Sequence, residues 1–247
     1  ADVNVCKDVK DFIFLPVIGN CTHYYICVND VALLRTCEDG RLFDSKTQSC
    51  VLSHQANCAP NCTDALSTFA YDHTCNKYVL CYAGKALLRE CSDGLQYNAK
   101  TDRCDFPQYV DCVDNLCNIF NDPNNITYLS SKAACDKYYI CMDGQAYKQT
   151  CSKGLQFNHE CNCCDFQSKV QCTVAPLQRD ILKSFTRTPP RRSKIRCPAE
   201  GSHFYPHDDA DRYNLCVEGR GVILDCTPGL VYDKVKETCR EPHKLGT

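Results

Sequence analysis

The chain has no tryptophan, a single methionine (Met142) and no long hydrophobic run among its 247 residues. Its best apolar stretch, residues 12 to 18, contains Pro16 and falls far short of the roughly 18 residues that crossing a bilayer demands. No membrane partner is therefore expected. Charge of either sign is not in excess: the formal net charge of −2 gives the whole molecule no pull on nucleic acid, so no nucleic-acid partner is expected either. Catalytic patterning is also missing. The histidines His23, His54, His73, His159, His203, His207 and His243 share no recurring place, and no Asp-x-x-Asp-x-Asp-x-Glu cluster supplies the paired carboxylates of glycoside hydrolysis. The chain reads as no enzyme, and nothing in it calls for a cofactor.

What it has is cysteine: 24 residues, roughly one in ten and well above ordinary usage. In a reducing compartment that would suggest metal binding, and in an oxidising one a disulfide scaffold. Three Asn-x-Ser/Thr sequons, at Asn20, Asn61 and Asn125, favour the second reading and a secreted, extracellular glycoprotein. A start at Ala1 rather than Met fits a chain whose signal peptide has been removed.

The cysteines fall into repeating sets: Cys6, Cys21, Cys27, Cys37, Cys50, Cys58; then Cys62, Cys75, Cys81, Cys91, Cys104, Cys112; then Cys117, Cys135, Cys141, Cys151, Cys164, Cys172; and a shorter fourth set, Cys197, Cys216, Cys226, Cys239. Second to third cysteine is 6 positions in the three full sets. Third to fourth is 10 and fourth to fifth is 13 in all four, and fifth to sixth is 8 wherever both exist. A fixed period of this kind marks a tandem array. In the fourth set Ala210 and Thr247 stand where the second and sixth cysteines belong. Their joint loss suggests that second and sixth are partners, while the other four can still pair in more than one way. Two extra cysteines, Cys161 and Cys163, read as one more disulfide rather than a metal site; no metal is expected.

The reading divides the chain into module one (1–59), module two (60–114), module three (115–173), a basic linker (174–196) and module four (197–247). Each module is too small for a self-sufficient apolar core, so bridges must supply much of its stability. Module four, one bridge short, is expected to be the weakest. The linker carries seven basic residues against one acid and reads chiefly as a solvated spacer. Within modules, alternating runs such as Tyr24-Tyr25-Ile26-Cys27-Val28 precede turn residues (Asn29-Asp30, Ala83-Gly84, Asp143-Gly144, Glu218-Gly219-Arg220-Gly221) and a second run, as β-hairpins do. The expected fold class is small, disulfide-rich and all-β.

Module two carries Cys75-Asn76-Lys77-Tyr78, Gly94-Leu95-Gln96-Tyr97-Asn98 and Cys104-Asp105-Phe106-Pro107, and module three Cys135-Asp136-Lys137-Tyr138, Gly154-Leu155-Gln156-Phe157-Asn158 and Cys164-Asp165-Phe166. These motifs resemble the peritrophin-A type chitin-binding domain, carbohydrate-binding module family 14, over nearly the whole chain except the linker. The resemblance implies a three-stranded and a two-stranded antiparallel sheet per module. It also implies pairing of first with third, second with sixth and fourth with fifth cysteines, and binding of chitin or a chito-oligosaccharide in an extracellular matrix such as the peritrophic matrix or cuticle, with crosslinking of fibrils as one outcome. The alternative is an extracellular interaction protein in which some modules bind no sugar.

Chitin is uncharged and its pyranose rings have apolar C–H faces. Exposed aromatic rings would lie against those faces, and Asn, Asp or Tyr hydroxyls would bond the N-acetyl groups. The candidate contacts are Tyr97, Asn98, Asp105 and Phe106 in module two and Phe157, Asn158, Asp165 and Phe166 in module three. Tyr24, Tyr78, Tyr138, Phe43, Asp44, Tyr232 and Asp233 are further candidates. For the recurring Tyr24, Tyr78, Tyr138 and Tyr213, and for Phe43, Tyr97, Phe157 and Tyr232, core packing is the competing role. Modules one and four lack the aromatic after the fifth cysteine (Val51-Leu52 and Arg240-Glu241), so modules two and three are expected to bind most strongly.

Overall fold

The computed structural model describes residues 3–58, 62–92, 94–117, 124–172, 174 and 191–244. Asn61 and the sequence joining modules one and two lie outside them, as does most of the basic linker. The described chain is nearly all β. Module one contains β1 (Phe14–Pro16), β2 (His23–Val28), β3 (Val31–Thr36), β4 (Leu42–Asp44) and β5 (Ser49–Val51). Module two repeats this with β6 (Ser67–Ala70), β7 (Lys77–Tyr82), β8 (Lys85–Glu90), β9 (Gln96–Asn98) and β10 (Arg103–Asp105), followed by the short helix α1 (Pro107–Val110). Module three has β11 (Tyr128–Ser130), β12 (Lys137–Met142), β13 (Gln145–Thr150), β14 (Leu155–Asn158) and β15 (Cys163–Phe166). In these three modules the first three strands form an antiparallel sheet and the last two a separate ribbon.

The central hairpin forms because its turn residues tolerate left-handed backbone. Asn29-Asp30, Ala83-Gly84, Asp143-Gly144 and Glu218-Gly219 all have positive φ, the signature of the two-residue turn whose twist matches the flanking strands. A second turn precedes each ribbon. The amides of Arg41, Leu95, Leu155 and Leu230 donate to the carbonyls of Glu38, Ser92, Ser152 and Thr227, with Gly40, Gly94, Gly154 and Gly229 at positive φ just before the donor.

All 24 cysteines are bonded. First joins third (Cys6–Cys27, Cys62–Cys81, Cys117–Cys141, Cys197–Cys216) and fourth joins fifth (Cys37–Cys50, Cys91–Cys104, Cys151–Cys164, Cys226–Cys239). Second joins sixth in modules one to three (Cys21–Cys58, Cys75–Cys112, Cys135–Cys172), and Cys161 joins Cys163. The last bridge closes a sequence separation of 2, against 37 for Cys135–Cys172. Loop-closure entropy makes so short a crosslink worth about 1.5 kcal/mol. Replacing both Cys161 and Cys163 by serine is expected to cost that much in urea unfolding. A loss as large as that from removing Cys135 and Cys172 would contradict the entropic account.

Module four contains β16 (Arg191–Arg192), β17 (Ser202–Pro206), β18 (Arg212–Val217), β19 (Arg220–Asp225), β20 (Val231–Asp233) and β21 (Thr238–Arg240). Its larger sheet has four strands, in the order β16-β19-β18-β17. The end of the segment assigned above to the linker is therefore part of this sheet: Arg191 and Arg192 pair with Ile223 and Val222. Ser193 holds the segment down through its amide to the Gly221 carbonyl and its hydroxyl to Asn214 at 2.7 Å. Gly221 permits the approach, since a Cβ there would lie 2.8 Å from both Ser193 and the Cys197 sulfur. Ala210 keeps the backbone of the missing second cysteine. Its carbonyl accepts the Tyr232 amide at 2.8 Å, as Cys21 accepts that of Phe43 and Cys135 that of Phe157.

The chain forms two compact units. The first comprises residues Ala1–Ala59, Tyr71–Cys75 and Pro107–Leu177, and the second Pro60–Ala70, Asn76–Phe106 and Gln178–Thr247. In the first unit, Tyr71–Cys75 docks on module one: the Tyr71 hydroxyl donates to the Pro16 carbonyl, Ser45 bonds Asp72, and the His73 ring lies between the Ser45 carbonyl and the Gln48 amide. Asp111 docks the other flank on module three. Its carboxylate accepts bonds from the Ser131 hydroxyl, the Lys132 amide, the Tyr139 hydroxyl and the Lys148 ammonium, the last three at 2.7 Å. Burial alone would raise its pKa, but these donors, led by Lys148, hold it below the usual aspartate value. With the folded value depressed, its contribution is complete above about pH 4 and is lost as pH falls through the lower folded value. Hydrogen exchange at the Lys132 amide, corrected for its intrinsic pH dependence, is expected to lose protection over that acid range. Unchanged protection down to full protonation would remove Asp111 as the anchor.

Candidate carbohydrate-binding faces

One ring pair recurs in every module. Tyr24 stacks on Phe43, Tyr78 on Tyr97, Tyr138 on Phe157 and Tyr213 on Tyr232, with centroids 4.6–4.9 Å apart and planes within 14°. The tyrosine comes from the central hairpin and its partner from the first strand of the ribbon, so the pair ties the two sheets of a module together. Phe43, Tyr97 and Phe157 are 2%, 5% and 4% exposed. These rings have no open face for a sugar, and their placement is that of a miniature core. Tyr232 is half-buried, with its hydroxyl pushed up to about 12 by burial and by Glu237.

The acidic or amide residue after that ring closes the ribbon turn. Asp44 accepts the Thr47 amide and hydroxyl and the Asn57 amide; Asn98 accepts the Lys100 amide; Asn158 accepts the Glu160 amide; Asp233 accepts the amides of Val235 and Lys236. Burial works against ionisation of Asp44 and Asp233, yet these donors keep both carboxyls below the usual range. Asp105 is buried too. It accepts the Phe106 amide and the Asn98 side-chain amide, but burial dominates and raises its pKa. In module four the same cross-ribbon contact is an Arg240–Asp233 ion pair at 3.3 Å. Of the polar candidates, Asp44, Asn98, Asp105 and Asp233 are thus engaged inside the fold, whereas Asn158 and Asp165 stay partly open.

Modules two and four pack against each other within the second unit. Cys91, Leu95, Tyr97, Cys226 and Leu230 form one buried cluster, with Tyr78, Phe106, Tyr213 and Tyr232 against it. Leu80, Leu215, Val217 and Val222 form a second, flanked by Tyr82, Leu87 and Phe204. The contact is close to two-fold. Ser92, just after the fourth cysteine of module two, donates to the carbonyl of the fifth cysteine of module four, Cys239. Thr227, at the same place in module four, donates to the carbonyl of Cys104. Leu95 and Leu230 are also counterparts, as are Leu80 and Leu215. Arg89 adds a bond to the Glu237 carbonyl and lies 3.8 Å from the centre of the Phe204 ring. None of this was visible in the motifs, because the residues that pack are the same ones the motifs repeat.

In module three the corresponding positions are open. Phe166, the counterpart of Phe106, is 63% exposed, and Tyr147, the counterpart of Leu87, is 42% exposed. Asp165 accepts the Phe166 amide with one oxygen, which also faces Lys169 at 3.5 Å. Module one has aliphatic Leu52 and Leu33 at these places, both exposed. Phe12 and Phe69 are further exposed rings, outside the recurring motifs. The sequons at Asn20 and Asn125 lie on exposed residues, with Asn20 accepting bonds from the amide and hydroxyl of Thr22. No helix among the described residues is long and apolar enough to cross a membrane.

The family model of the chitin-binding peritrophin-A domain matches residues 6–58, 62–112, 121–172 and 197–246. Among curated proteins, the chain is similar to Peritrophin-1 of Anopheles gambiae, 31% identical over 42% of this chain and 76% of that protein. It is similar to Protein obstructor-E of Drosophila melanogaster, 26% identical over 68% of this chain and 82% of that protein. A 53-residue stretch is 40% identical to an Endochitinase of Manduca sexta, covering 22% of this chain but only 9% of the enzyme.

Proposed function

The chain belongs to the peritrophin-A chitin-binding family, with four such domains along its length, and from this we propose that it binds chitin without catalysis in an extracellular matrix, with module three as its principal contact. The observation that carries the reading is Phe166: an aromatic ring mostly in solvent, beside a carboxylate, on a scaffold held by bridges. A flat apolar ring complements the C–H face of a neutral pyranose, and nearby polar groups can bond the N-acetyl substituent. Tyr147 is a second exposed ring of this module, and the stacked Tyr138–Phe157 pair ties its two sheets together. At the positions of Tyr147 and Phe166 module one has aliphatic Leu33 and Leu52, so it contributes weakly there. If several modules of one molecule reach the same polymer, avidity follows; if they reach different fibrils, they crosslink them.

Capture on chitin beads at low and high salt tests the proposal. Stacking on an uncharged polymer is expected to survive high salt, whereas capture through the basic segment would fade as its charges are screened. Oxidised protein that washes off the beads at both salt concentrations would refute it. For modules two and four a second reading is favoured by their packing: there the scaffold serves protein contact.

A further inference from the structure

We infer that modules two and four form an internal clasp whose contact occupies the face module two would otherwise offer to sugar, so that clasping and sugar binding by module two are alternatives. The sugar half of this inference rests on the function proposed above; the clasp itself does not. Three observations carry it.

The contact is reciprocal. Ser92 to the Cys239 carbonyl and Thr227 to the Cys104 carbonyl are the same bond made twice, with Leu95 against Leu230 between them. Self-complementary use of one patch by two copies of a fold is how isologous dimers are built. Here both copies are on one chain.

Burial follows the contact. Leu80 and Leu215 are 1% and 0% exposed, whereas Ile26 and Ile140, at the same place in modules one and three, are only half-buried. Phe106 packs into the clasp while its counterpart Phe166 stands in solvent. Phe106, the counterpart of the ring proposed to meet the sugar, is thus partly covered by the clasp.

No bridge joins module four to the rest of the chain: Cys197–Cys216 and Cys226–Cys239 are both internal to it. Among the described residues, the backbone and the clasp hold it. The pairing is also not perfectly satisfied, since the buried Tyr232 hydroxyl has no hydrogen-bond partner among the described residues. Opening would let it meet water, which favours a reversible contact.

Limited trypsin digestion of the intact oxidised protein, aimed at the basic segment between residues 175 and 190, separates module four covalently. Size-exclusion chromatography without reductant then reads whether it stays. The inference expects the module-four fragment to co-elute with the remainder and to be released by excess chitohexaose. A fragment that elutes alone without sugar overturns the clasp. Co-elution that saturating chitohexaose never disturbs overturns the competition. Intact protein that binds no chitohexaose, with the fragment still co-eluting, refutes the proposed function and leaves the clasp standing. Leu230→Glu is expected to free the fragment and, in the intact chain, to raise chitohexaose stoichiometry by about one site. Should that variant misfold, judged by loss of native near-ultraviolet circular dichroism, the milder Ser92→Ala/Thr227→Ala pair is expected to weaken co-elution and raise affinity in the same direction. Release without any gain in sugar binding would contradict the masking.

Discussion

Leu215→Ala is expected to destabilise module four by about 2–5 kcal/mol, the usual cost of a cavity in a packed core. Leu215 has no exposed surface and sits in the cluster with Leu80, Val217 and Val222. Module four lacks the second-to-sixth bridge and draws compensation from two sources, the extra strand β16 and the contact with module two. A cavity at Leu215 weakens both the module's own sheet and that contact. Hydrogen exchange followed by mass spectrometry is expected to show residues 212–225 losing protection, with 77–90 of module two affected to a smaller degree because module two keeps the second-to-sixth bridge, Cys75–Cys112, that module four lacks. Equal protection in variant and parent would mean that the contact bears no stability.

Phe166→Ala is expected to weaken chitohexaose binding by roughly 2 kcal/mol, about thirtyfold, which is the loss typical of an aromatic anchor at a binding hot spot. The ring is 63% exposed and lies at the end of β15, two residues beyond the Cys151–Cys164 bridge. Its removal leaves no cavity, so the melting temperature should barely move. Phe157→Ala is the contrasting change. That ring is 4% exposed and stacked on Tyr138, so its loss should unfold the module first and lower binding only as a consequence. A Phe166→Ala protein that binds as tightly as the parent would displace the contact to another face, with Phe12 and Phe69 the next rings to replace.

Cysteine spacing carried the repeat because covalent closure tolerates little variation in chain length between bonded positions. The turns were readable for a similar reason: Asn29-Asp30 and Asp143-Gly144 are residue types that accept positive φ. What spacing could not convey was which aromatic faces inward. Tyr97 and Phe106 sit in neighbouring motifs of module two, yet Tyr97 is buried and stacked on Tyr78 while Phe106 is only partly buried, against the cluster shared with module four. Asn98 and Asp105 have the chemistry of sugar ligands, and the backbone amides and each other take up that chemistry. The packing of modules two and four escaped the sequence because a reciprocal contact adds no new residue type; it reuses the motif. Strand β16 was read as linker because Arg191 and Arg192 look like solvated charge, while their pairing is made by the backbone.

Titration of the intact, oxidised, isotope-labelled protein with chitohexaose, followed by nuclear magnetic resonance, tests the central claim most directly. The account predicts that the first and largest shifts fall on Phe166, Tyr147 and Asp165, with module two responding only as its contact with module four opens. Shifts that begin at Tyr78, Tyr97 and Phe106 while module three stays silent would contradict it.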